Sequence, residues 1–126
     1  MKKIIQTNNA PAPVGPYSQA VQVHQTLYLS GQVAIDSSTG SLKMSDIEEE
    51  THQVMKNIGA VLTEAGTSFD NVVKCTIFMA DMNDYARVNT VYASYFNENT
   101  APAREAVQVS RLPMDVNVEI SCIAIV

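Results

Sequence analysis

Between Asn71 and Ala80 the chain reads NVVKCTIFMA, with β-branched or apolar side chains at almost every position. Such a run predicts a central strand buried on both sides, and so demands covering layers from the rest of the chain. With 46% hydrophobic and 17% charged residues, the 126-residue chain suffices for one compact domain, expected to span residues 1–126.

The covering elements are legible on either side of that strand. From Ile47 the apolar residues Val54, Ile58, Val61, Leu62 and Ala65 recur at three- and four-residue steps, and Gly66 supplies a permissive helix end. Ser45 followed by Glu48 has the capping-box spacing for its start. A second helix is expected from about Asn83 or Asp84, with Tyr85, Val88, Tyr92, Tyr95 and Phe96 as its apolar stripe, which reads as core packing.

Upstream, QAVQVHQTLYLSGQV alternates with period two and predicts a hairpin. Its pattern sets Val21, Val23, Leu27 and Leu29 on one face and Tyr28 and Ser30 on the other, with Gly31 closing the strand. The resulting order is three strands, helix, strand, helix, two strands. An α+β sandwich follows, with both helices on one face of a six-stranded sheet. The helix-free face carries Tyr28, Ser30, Lys74, Thr76 and Phe78, too apolar a mixture for open solvent, so self-association around it is expected.

The last two strands lie in APAREAVQVSRLPMDVNVEI, Ala101 to Ile120. Alternation separates Val107 and Val109 from Arg104, Ala106 and Gln108, and separates Val118 and Ile120 from Asn117 and Glu119. If both apolar rows face the helices and the strands form a hairpin around RLPM, Arg104 and Glu119 are diagonal neighbours on the helix-free face, about 7–8 Å apart at Cβ. Two readings stay open at that spacing. The pair is either a surface or interface salt bridge, or a guanidinium fork and a carboxylate that hold a small organic acid between them.

Eight Lys plus Arg against a formal net charge of −5 argue against a nucleic-acid partner, which needs a clustered basic face. No segment approaches the ~20 apolar residues of a membrane span, and the N-terminal residues lack a signal-peptide core, so a cytoplasmic protein without a membrane partner is expected. Cys75 and Cys122 sit in apolar strands and read as reduced thiols. His24 and His52 lack companions at ligand spacing, so no metal is expected.

Four stretches together resemble the Rid family of reactive-intermediate deaminases, also called the YjgF family: GPYSQAV (15–21), YLSGQVAID (28–36), MNDYARVNTVYASYF (82–96) and the C-terminal segment just quoted. The resemblance runs from about Ala10 to Val126. It implies a chorismate-mutase-like fold, a homotrimer with clefts between subunits, and no cofactor. It also implies a 2-iminobutanoate/2-iminopropanoate deaminase that hydrolyses reactive enamines and imines such as 2-aminoacrylate, released by pyridoxal-phosphate-dependent dehydratases, to a 2-keto acid and ammonia. The alternative is a non-catalytic trimer that binds 2-keto acids or other small carboxylates.

By the same resemblance Arg104 would bind the substrate carboxylate, Glu119 would position and deprotonate water, and Tyr17 would close the pocket. Ser30, Gly31 and Asn89 would line the cleft. One departure is clear: the family's common PARSCV is PAREAV here, so a cysteine is replaced by Ala106 and a serine by Glu105. Ala106 can then contribute only its backbone carbonyl, and thiol chemistry at that position is excluded.

Overall fold

A computed structural model describes residues 1–126. Its elements are β1 (Lys2–Ile5), β2 (Ala20–Val23), β3 (Thr26–Gln32), α1 (Ile47–Glu64), β4 (Val72–Met79), α2 (Tyr85–Ala93), β5 (Ala103–Gln108) and β6 (Val118–Ile125). The six strands form one sheet in the order β1-β2-β3-β6-β4-β5, and the helices pack together on one face, as the sequence pattern predicts.

α1 forms because its apolar stripe can be buried. Val54, Met55, Ile58, Val61 and Leu62 are at most 1% exposed, each contributing about 1.5–3 kcal/mol relative to solvent. The helix is capped one residue later than expected. Asp46, with extended backbone, accepts from the Glu49 amide at 2.7 Å, and Ser45 donates to the Glu49 carboxylate instead of capping. Glu48 is thereby free to pair with Arg87 of α2 at 2.6 Å. At the other end the Thr67 amide bonds the Leu62 carbonyl and Gly66 adopts φ +81°, a Schellman ending that favours glycine.

Three expectations about the strands are corrected. β4 is buried on one side only: Cys75, Ile77 and Met79 face the helices, whereas Lys74, Thr76 and Phe78 are half-buried on the helix-free face. Val21 is in register with Tyr28 and not with the leucines, so Val21 and Val23 belong to the helix-free face while Leu27 and Leu29 enter the core. Most consequentially, β5 and β6 are not a hairpin. β5 pairs in parallel with β4, with α2 as the crossover that a parallel pair requires, and β6 inserts antiparallel between β3 and β4. The RLPM segment is a link between strands on either side of β4, and its turn sets Met114 and Asp115 at φ +59° and +55°.

One row of the helix-free face is largely apolar, interrupted by Lys74, beside a polar row of Ser121, Thr76 and Glu105. Ile4, Val21, Tyr28, Ile123, Lys74 and Ala103 are successive register partners across all six strands, with Ile4 and Tyr28 each 49% exposed. No helix of the chain is long and apolar enough to cross a membrane.

Candidate active site

The strand order separates the two residues that the hairpin expectation united. Arg104 of β5 is in register with Cys75 of β4, and Glu119 of β6 is in register with Phe78 of β4. Two strand spacings and three residues of offset put their Cα atoms about 14 Å apart. Register partners share a face, so Arg104 projects with Cys75 toward the helices and Glu119 with Phe78 away from them. The direct Arg104–Glu119 grip within one chain is therefore overturned. The alternation was right, but the apolar row of β5 is the one that turns outward: Val107 is 40% exposed.

Around Arg104 the site is built almost wholly by α2. Nη1 donates to the Asn89 side-chain oxygen at 2.7 Å and Nη2 to the Tyr85 hydroxyl at 2.5 Å. The guanidinium carbon lies 4.9 Å from the centre of the Tyr92 ring and 5.6 Å from that of Tyr85. Two hydrogen bonds and two ring faces fix its orientation. A guanidinium has five N–H donors, so three remain for a ligand. A cavity of about 400 Å³ opens beside it, walled by Asn89, Tyr92, Phe96, Pro102 and Glu98. The Tyr92 hydroxyl is buried without a hydrogen-bond partner, and burial pushes its ionisation well above the ordinary tyrosine range.

Glu119 occupies a second, smaller cavity of about 140 Å³, shared with Tyr17, Gly31, Val33, Pro113 and Met114. Its carboxylate lies directly on Gly31, where an added Cβ would come within 2.7 Å of Cδ and 3.0 Å of Cγ. Gly31 does not close β3 as expected. It lies in a bulge where β3 spends two residues, Ser30 and Gly31, against one on β6 between the pairs Leu29/Cys122 and Gln32/Ile120. Burial raises the pKa of Glu119 above the usual carboxylate value, with no hydrogen bond to offset it.

Neighbouring polar groups set the backbone around this carboxylate. Glu50 of α1, fully buried, accepts from the amides of Asn117 and Val118 and from the Asn117 side chain at 2.7, 3.2 and 2.8 Å, and so fixes the chain immediately before Glu119. Gln19 bonds Thr7, Ala10 and Pro11 through their backbone and pins the segment leading to Tyr17. Asn57 donates to the carbonyls of Val33 and Ile35 on the cavity wall.

Of the expected site residues, Tyr17, Gly31 and Glu119 thus meet in one cavity and Arg104 and Asn89 at the other. Ser30 lines neither: its hydroxyl donates to the Ser18 carbonyl at 2.6 Å and its amide to Gln19 at 2.9 Å, which ties the Tyr17 loop to the bulge. Ala106 is opposite Ile77 and packs against the core, not across from Glu119. Glu105, its neighbour, points to the helix-free face, where it pairs with Lys74 at 3.0 Å and accepts from Thr76. Sequence reasoning missed Tyr85 and Tyr92, assigned to the core, and Glu50, whose only signal was a carboxylate inside an apolar stripe. No group of three or more His, Cys, Asp or Glu is placed to hold a metal ion.

Comparison with known proteins places this architecture. Residues 7–126 match the family profile described as Endoribonuclease L-PSP. A RutC family protein of Synechocystis is 53% identical over 124 residues, which cover 98% of this chain and 95% of that protein. The mouse protein named 2-iminobutanoate/2-iminopropanoate deaminase is 50% identical over 125 residues, 99% of this chain and 92% of its own. The crystal structure of the Rid-family protein YyfA from Yersinia pestis superimposes with a TM-score of 0.97 at 50% identity, covering all of both chains.

Proposed function

Because the chain belongs to the Rid family, whose profile is described as Endoribonuclease L-PSP, we propose that it is an enamine/imine deaminase, converting 2-iminobutanoate and 2-iminopropanoate to 2-keto acids and ammonia. The observation that carries this reading is the division of labour between the cavities. One offers a fixed cation with three free donors, the other a half-buried carboxylate with a raised pKa.

A 2-imino acid needs both. The guanidinium takes the substrate carboxylate as a bidentate fork and orients C2. Glu119 removes a proton from water as the oxygen attacks C2 and delivers it to the imine nitrogen, giving the carbinolamine. It then carries the new hydroxyl's proton to the same nitrogen as the C–O double bond forms and the C–N bond breaks, so that imine plus water becomes keto acid plus ammonia with no external co-reactant. A carboxylate whose pKa is lifted toward neutrality is a better proton acceptor and donor for this exchange than an ordinary surface carboxylate. Tyr17 closes the Glu119 cavity, and the Gly31 amide and the Ala106 carbonyl line the cleft.

Arg104 and Glu119 are on opposite faces of one sheet, so the complete cleft takes Arg104 from one copy and Glu119 from another. A closed ring does this with every seam alike, and it covers the largely apolar row of the helix-free face. We propose that this ring is a homotrimer with three clefts, as the family resemblance implies, and that it works in the cytoplasm. The net charge of −5 gives no support to RNA as substrate, whatever the profile's description.

The test supplies 2-aminoacrylate or its four-carbon analogue from a serine/threonine dehydratase and follows keto-acid release. Acceleration by the wild type that is absent in Arg104→Ala supports the deaminase. Equal rates with either protein or with none, alongside saturable 2-ketobutyrate binding, would replace it with a carboxylate-binding protein.

A further inference from the structure

The hydrogen-bond polarity around Arg104 determines what its neighbours have left to offer. A guanidinium donates and never accepts, so both groups that touch it must present oxygen lone pairs. Asn89 therefore turns its carbonyl oxygen to Nη1, and Tyr85 receives Nη2 on its hydroxyl oxygen. Each group's donor is thereby released to point elsewhere. The Tyr85 hydroxyl has a single hydrogen and no acceptor within the chain, and the residue is 36% exposed.

We propose that Tyr85 is a substrate-contacting specificity residue: its hydroxyl hydrogen donates to the same ligand carboxylate that Arg104 grips. This rests on the reading of Arg104 as the carboxylate anchor. A carboxylate can accept about four hydrogen bonds, two of which a guanidinium fork uses, so acceptor capacity remains for a neighbouring hydroxyl. The tyrosine oxygen receives charge from the arginine while its hydrogen goes to the anion, and this polarised relay strengthens both bonds. A donor-lined cradle of this kind selects a ligand that presents only acceptors, a carboxylate, and disfavours the corresponding amide, whose NH₂ would face the tyrosine hydrogen unpaired.

Tyr85→Phe removes the oxygen and keeps the ring face against the guanidinium, at a residue exposed enough for the fold to tolerate it. The probe is 2-ketobutyrate, measured by calorimetry on the intact oligomer, with 2-ketobutyramide as the neutral comparison. The expected result is about tenfold weaker binding of the acid in Tyr85→Phe, the loss typical of one hydrogen bond to a charged group, with the amide bound no more weakly than by the wild type. A Tyr85 that only steadied Arg104 would give the same single-variant result, so the cycle is completed in Arg104→Lys, which keeps a cation but lacks the Nη2 bond. A further loss on adding Tyr85→Phe there supports direct contact; no further loss overturns it. If Arg104→Lys and Arg104→Ala both bind the acid as wild type, the anchor reading itself fails. If they lose binding and Tyr85→Phe does not, only the tyrosine's role falls.

Discussion

Gly31→Ala is the sharpest single perturbation of this site. Gly31 has no left-handed backbone to lose, so alanine is conformationally acceptable and would by itself stabilise the chain by about 0.4–1 kcal/mol through the unfolded state. The new methyl would sit 2.7 Å from Glu119 Cδ, whereas carbon atoms rest at about 3.5–4.0 Å, so the carboxylate must retreat by about 1 Å. Glu119 is only half-buried and can retreat, so the overpacking cost stays near the lower end of the usual range, about 1 kcal/mol, and the net change in stability is close to zero. Catalysis is less forgiving: a reacting group displaced by about 1 Å loses on the order of 100-fold. The dehydratase-coupled assay should show kcat/KM falling by about that factor while denaturant unfolding is nearly unchanged. Wild-type turnover in Gly31→Ala would refute the assignment of Glu119 as the water-activating carboxylate. A stability loss of several kcal/mol that disappears in a Glu119→Ala background would show instead that the carboxylate cannot move.

Two further outcomes follow from the same geometry. Burial raises the Glu119 pKa in the folded state, so ionising it opposes folding: Glu119→Gln should be more stable than wild type at neutral pH, with the advantage shrinking as pH falls through the folded pKa and vanishing below the ordinary glutamate value, as urea titrations across pH 4–8 would show. Identical stability differences at every pH would remove burial as the cause. Glu50→Ala leaves the amides of Asn117 and Val118 buried without an acceptor and should destabilise by about 3 kcal/mol or more, with activity lost at temperatures where the fold persists; a change below about 1 kcal/mol would mean that water replaces the carboxylate.

Local rules carried the reading of the elements and failed at the strand order. The alternation in AREAVQ correctly grouped Arg104, Ala106 and Gln108, but periodicity does not say which group faces inward. With Val107 in the other row, hydrophobicity chose the wrong face, because the helix-free face is itself partly apolar. The turn residues between β5 and β6 looked like a hairpin because Pro113 and its neighbours do make a turn, yet which strands pair is decided by distant packing of α2 over β4 and β5. Tyr85 and Tyr92 recur at helical spacing whether they fill a core or seat an arginine, so their second task was invisible without Arg104 beside them. Glu119 over Gly31, by contrast, was approachable from the sequence: a glycine in a strand marks a bulge or a close approach, and this one is both.

The opposite-face placement of Arg104 and Glu119 also has a genetic consequence on the proposed ring. A chain bearing Arg104→Ala and a chain bearing Glu119→Gln are each inactive alone, because every seam of either homotrimer lacks one half. Assembled together from equal amounts, about a quarter of the seams would join an intact arginine to an intact glutamate, while a doubly substituted chain mixed with wild type would yield the same fraction by the same count. Two dead alleles would complement each other, and the activity recovered would count subunit contacts rather than subunits.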